Sequence, residues 1–107
     1  MVNMNVEISS HATDRCRERL GINKRAVERQ ANLAYNRGYY HNQMKGALRK
    51  WVDHEALNAP VPVSLYIYYN NHLFLFQKKD KGERVVLVTM LKVPTKIMKN
   101  IGNYLIK

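Results

Sequence analysis

An α+β fold is predicted by three observations on the 107-residue chain. Helical periodicity fills the first half, Asn58, Ala59, Pro60, Val61 and Pro62 break it, and β-branched and aromatic runs follow. Helices gathered ahead of strands, instead of alternating with them, describe three N-terminal helices packed on a small antiparallel sheet of three to four strands. No repeat, low-complexity tract or linker divides the chain, so residues 1–107 are read as a single domain.

Taken in order, residues 3–8 alternate weakly and either add an edge strand or lead in. Ser9 or Ser10 can cap a first helix, whose end is marked by Gly21. Four-residue spacing sorts its side chains into an apolar line, Ala12, Cys16 and Leu20, and a polar line beside it, His11, Arg15 and Arg19. A second helix, 23–37, starts on Asn23, turns Val27, Ala31 and Ala34 inward and ends at Gly38. Tyr39, Tyr40 and His41 then form an aromatic corner. A third helix, 42–57, sets Met44, Ala47, Leu48, Trp51 and Val52 at core spacing, with Gly46 inside it marking close packing or a kink. Strands are expected at 63–69, 73–76 and 85–91, joined by a hairpin turn at Asn70 and Asn71 and a polar turn at 78–83. Pro94 ends the last strand, and Thr95 can cap a weak C-terminal helix.

Charge is the strongest compositional signal. Eighteen basic residues face eight acids, a net +10 with pI near 10. Ten of the basic residues and only three acids fall between His11 and Lys50. Such a surface attracts polyanions, and nucleic acid is the commonest of these. No apolar run approaches the roughly 20 residues that span a bilayer, so no membrane partner is expected. The start of the chain lacks the pattern of a signal peptide. The lone Cys16 cannot form an internal disulfide, which fits a cytoplasmic setting.

Several chemistries lack their residues. The four histidines show no metal-ligand spacing, one cysteine cannot build a zinc cluster, and no carboxylate cluster offers a two-metal site. No metal and no cofactor is therefore expected. Neither a Gly-rich phosphate loop nor a nucleophile elbow is present. Cys16 lies on the apolar line, which argues against a nucleophilic thiol.

What remains is enough for metal-independent RNA cleavage, in which the substrate's own 2′-OH attacks. An imidazole titrates close to working pH, so His11 can transfer protons. Arg15 and Arg19 can grip the phosphate with paired hydrogen bonds and stabilise its transition state. Thr89 and Tyr68 can position ribose or phosphate by their hydroxyls. Lys24, Arg25 and Arg29 would extend the backbone-binding surface. Each has a plainer role open to it: His11 as a cap, the arginines in surface pairs with Glu18 or Glu7, Thr89 as a strand former, and the tyrosines as packing.

Ser10, His11, Ala12, Arg15, Glu18, Arg19 and Gly21, followed by Gly38, Gly46 and Leu48, then Tyr68, Phe76, Leu87, Val88, Thr89 and Pro94, form a longer pattern. It resembles the RelE/colicin-D/barnase-like endoribonuclease superfamily, and within it small uncharacterised phage and Firmicute proteins assigned near that group. The resemblance covers most of residues 8–94. It implies helices packed on an antiparallel sheet, RNA cleaved or bound across that sheet, and His11 with Thr89 facing the site beside Arg15 or Arg19. The stretch 39–58 is longer than in minimal toxins. The expected function is a toxin-like RNA-acting protein, a metal-independent endoribonuclease. Two alternatives use the same basic face: a non-catalytic nucleic-acid-binding or phage anti-defence protein on a nucleic acid or nucleoprotein, and a protein that meets an acidic protein partner.

Overall fold

The computed structural model describes residues 6–59 and 62–106. Its centre is a five-stranded mixed sheet in the order β1-β5-β4-β3-β2, built from β1 (Glu7–Ile8), β2 (Tyr39–Tyr40), β3 (Leu65–Tyr69), β4 (His72–Lys79) and β5 (Arg84–Lys92). The helices are α1 (Ser10–Leu20), α2 (Lys24–Arg37), α3 (Gly46–Leu57) and the single turn α4 (Thr95–Met98). The α+β prediction holds. β3, β4 and β5 form the expected antiparallel meander, and the Asn70 and Asn71 turn between the first two has φ of 48° and 68° at its two residues.

Two-residue strands widen the sheet beyond the expected three to four. β1 pairs in parallel with Val86 and Leu87 of β5, the one parallel pair among the described strands. β2 occupies the expected aromatic corner and pairs with Ile67 and Tyr68 of β3.

Strand alternation divides the core into two. Phe74 and Phe76 point to one face with Ala12, Cys16, Val27, Ala31 and Ala34 of α1 and α2. Leu73 and Leu75 point to the other, with Met44, Leu48 and Val52. Thus α1 and α2 cover one face and α3 the other.

The third helix begins later than its periodicity predicts. His41–Gln43 form a 3-10 turn, Met44 bridges to Leu105, and Gly46 opens the helix at φ 63°. The C-terminal segment causes this. Lys45 N–H donates to Tyr104 O (2.9 Å), Ile106 N–H donates to Gln43 O (2.7 Å), and a Cβ on Gly46 would lie 2.8 Å from the Tyr104 ring. Close packing is the reason for that glycine, as expected, but at a helix start and not within one.

Candidate functional site

Local hydrogen bonds place α1 along the β5 margin. Ser9 is the N-cap: its Oγ accepts from Ala12 N–H (3.0 Å), and its hydroxyl donates to Leu87 O of β5 (3.3 Å). At the other end Gly21 adopts φ 67° and its N–H closes on Arg17 O. Ala12 and Cys16 enter the core as the spacing predicts, and burial pushes the Cys16 thiol pKa up, away from nucleophilic use. The polar line is left at the edge: His11 and Arg19 are exposed and Arg15 is half-buried.

Arg15 and Arg19 overhang the α3-side face of the sheet. Together with Glu55, Asn58 and Ala59 at the end of α3, and Leu75, Thr89 and Leu91 of the sheet, they enclose a pocket of about 230 Å³. Neither guanidinium forms an ion pair among the described residues. Of the two acids expected to pair with them, Glu7 holds Arg84 instead (2.7 Å), and Glu18 forms no ion pair with either among the described residues. Thr89 is 5% exposed, and its Oγ1 is the buried side-chain polar atom without a hydrogen-bond partner among the described residues. An unmet buried hydroxyl costs about 1–3 kcal/mol, so it is rarely kept without use.

His11 is not in that pocket. It lines the next depression along the same helix, about 330 Å³, with Ser9, Gln77, Lys79, Val86, Leu87 and Val88. The two depressions follow one another beside β5, from Val86 to Leu91, under successive turns of α1. A bulge separates them: Leu75 pairs with Thr89 and Phe76 with Leu87, leaving Val88 as the extra residue. Bulges re-aim side chains near such sites. Lys79 and His11 border one of these two neighbouring depressions and Arg15 and Arg19 the other; the pair is termed the trough.

The other expected contacts lie elsewhere. Tyr68, expected on the nucleic-acid surface, is 7% exposed in the core beneath α3, its hydroxyl turned to Asn71 Oδ1 (3.5 Å) and Met98 Sδ (3.7 Å). It shares a face with Tyr66, as alternation requires, but at its position that face is covered. Lys24, Arg25 and Arg29 stand on α2, in the layer behind the opposite face, and none lines the trough; Lys24 borders a depression beside β1 with Glu7 and Glu28. They do not extend the Arg15 and Arg19 surface. The trough residues the sequence reading passed over are Glu55, Asn58, Gln77 and Lys79. Alternation from Leu75 would have put Gln77 and Lys79 on the same face as Thr89's partner.

Among the described residues no group of three or more His, Cys, Asp or Glu side chains is placed to hold a metal ion, and no helix is long and apolar enough to cross a membrane. No protein-family model, curated protein or solved structure matches the chain.

Proposed function

We propose that the protein acts on RNA in the trough between α1 and β5, as a metal-independent endoribonuclease of toxin-like kind. One observation carries the reading: Arg15 and Arg19, both free of ion pairs among the described residues, line a single pocket with Thr89, whose buried hydroxyl has no partner among those residues. Two guanidiniums bordering one pocket suit a phosphodiester, whose oxygens accept from both. The net charge of +10 supplies long-range attraction for the same ligand.

In the proposed reaction the ribose 2′-OH gives up its proton and attacks phosphorus. The P–O5′ bond breaks, O5′ takes a proton, and a 2′,3′-cyclic phosphate remains. Arg15 and Arg19 stabilise the charge that builds on the phosphoryl oxygens. His11, one turn beyond Arg15 and about 6 Å along the helix axis, is the proton carrier.

The test compares the parent with His11→Ala on single-stranded RNA in the presence of a chelator. Cleavage by the parent, a loss of at least about 100-fold in the variant, and equal binding by both are the expected results. Binding without cleavage by either would favour the non-catalytic reading. That reading has an observation of its own, since His11 lies in a separate depression from Arg15, Arg19 and Thr89. Failure of both proteins to bind at about 50 mM salt, where phosphate contacts are strong, would shift the reading to an acidic protein partner.

A further inference from the structure

We propose, on the premise that RNA occupies the β5 trough, that the cavity between β2 and β3 is a subsite for one nucleobase of the same strand. This cavity, about 290 Å³, is lined by Tyr40, His41, Asn42, Ser64, Leu65 and Tyr66. It contains no lysine or arginine, so it is unsuited to phosphate. Three of its six lining residues, Tyr40, His41 and Tyr66, carry aromatic rings, which suits an uncharged heterocycle.

The rings are held in place before any ligand arrives. His41 Nε2 lies 2.6 Å from Asp53 Oδ1 of α3, and the imidazole stands 5.7 Å from the Tyr66 ring, tilted by 60°. A base stacked on one ring therefore meets the other at its edge. The Tyr66 hydroxyl donates to Val63 O (3.3 Å) and the Tyr40 hydroxyl to Tyr35 O (3.0 Å), so both tyrosines offer faces in preference to hydroxyls. Polar groups suited to a base edge remain. The exposed Asn42 carboxamide makes no hydrogen bond among the described residues. Ser64 Oγ accepts from Lys78 N–H (3.1 Å), which leaves its own hydrogen to donate.

Register connects this cavity to the trough. Tyr66 pairs with Leu75, and Leu75 pairs with Thr89, so one cross-strand row on one face joins the two sites. Two strand spacings separate Tyr66 from Thr89, about 10 Å between backbones. The end of α3 forms the ridge between them, Asp53 holding His41 on one flank and Glu55 lining the pocket on the other. A strand whose phosphate rests on Arg15 and Arg19 can thus lay a nearby base against Tyr66.

The experiment titrates the full chain, followed by NMR, with uncharged adenosine and uridine and, separately, with inorganic phosphate. Nucleosides are expected to shift His41, Asn42 and Tyr66 signals, and phosphate those of Arg15 and Arg19. Tyr66→Leu should weaken binding of a single-stranded RNA decamer about tenfold, while leaving an abasic decamer within about twofold. Asn42→Ala, at an exposed position where folding is not at risk, should weaken the RNA decamer roughly threefold. Unmoved His41 and Tyr66 signals with both nucleosides, or equal weakening of RNA and abasic decamers, would overturn the subsite. Nucleoside shifts at His41 and Tyr66 with silent arginines under phosphate would uphold the cavity as a base site and overturn the trough as the phosphate site.

Discussion

The two faces of the sheet are covered to different extents. On the first, α1 and α2 press Ala12, Ala31 and Ala34 against Phe74, Phe76 and Leu87, and all of these are 0% exposed. On the second, α3 and the C-terminal turns seal Leu73 and Tyr68, but Val88 and Leu91 at the β5 margin remain half-exposed. Basic residues stand near both faces with different consequences. Arg25 and Arg29 project from the outside of a closed layer, whereas Arg15 and Arg19 overhang an open one. Positive charge becomes a candidate site only where the fold also leaves a concavity beneath it.

The sharpest test of that contrast is packing. Phe76 stacks on Phe74 at 6.3 Å and meets Tyr35 edge-on at 5.8 Å, with no exposure. Phe76→Ala leaves a cavity that cannot collapse and should cost about 3–5 kcal/mol by urea denaturation. Leu91→Ala on the open margin should cost only about 1 kcal/mol, because water fills the space. Equal losses would mean that the second face is closed in solution.

Binding separates the two sets of arginines next. Replacing Arg15 and Arg19 together by Ala should weaken single-stranded RNA about a hundredfold at low salt, through two lost charge-assisted contacts. The slope of log K against log salt should fall by about 1.4. The matching Arg25 and Arg29 double variant should stay within about threefold. Similar losses from both pairs would reduce the trough to a share of a diffuse basic surface.

Thr89→Val carries a smaller effect with two opposite signs. Removing an unpartnered buried hydroxyl while keeping its shape should raise stability by up to about 1 kcal/mol. The same change should weaken RNA binding several-fold if the hydroxyl meets a phosphate. A variant that is more stable and binds as well as the parent would return Thr89 to a packing role. Glu55 offers the converse: Glu55→Gln removes a negative charge from the pocket and should tighten binding modestly.

Legibility in the sequence followed the range of the interactions concerned. Ser9, Gly21 and Asn23 act within a few residues of themselves, and so do Asn70 and Asn71, so the ends of α1, the start of α2 and the hairpin could be read directly, whereas the cap of α4 is Pro94 and not the expected Thr95. β1 and β2 exist only because β5 and β3 pair with them, and two residues carry no periodicity of their own. The start of α3 was misread because residues 42–45 are drawn out by the C-terminal segment, some sixty positions away. For the site, the α1 spacing gave the His11, Arg15 and Arg19 line. It could not show that the line straddles two depressions, nor that Glu55 and Asn58 close one of them. Alternation grouped Tyr66 with Tyr68 correctly; which of them α3 would cover depends on the helix's placement.

The smallest expected effect concerns what holds the wall of the open trough. Glu7 of β1 accepts from Arg84 Nε (2.7 Å) and Nη2 (2.9 Å) of β5, and β1 leads directly through Ser9 into α1. Hydrogen bonding to Arg84 holds the Glu7 carboxyl below its ordinary value of about 4.5, and the nearby charges of Arg84 and Lys79 act in the same direction. A lowered folded-state pKa contributes stability that is fully present above the ordinary value and is lost as pH falls through the lowered one. Arg84 is shifted upward and stays charged throughout that window, so it adds no slope of its own. Glu7→Gln should therefore melt slightly below the parent at pH 7, and the two curves should converge as the pH falls below the ordinary carboxyl value and through the lowered one. Because the pair is exposed, the gap is small and should shrink further in salt. A gap that widened on acidification would mean that Glu7 acts through something other than Arg84. The link from β5 to the arginine-bearing helix would then rest on the β1–β5 backbone pairing, the Ser9–Leu87 hydrogen bond and the packing of Ala12 and Cys16.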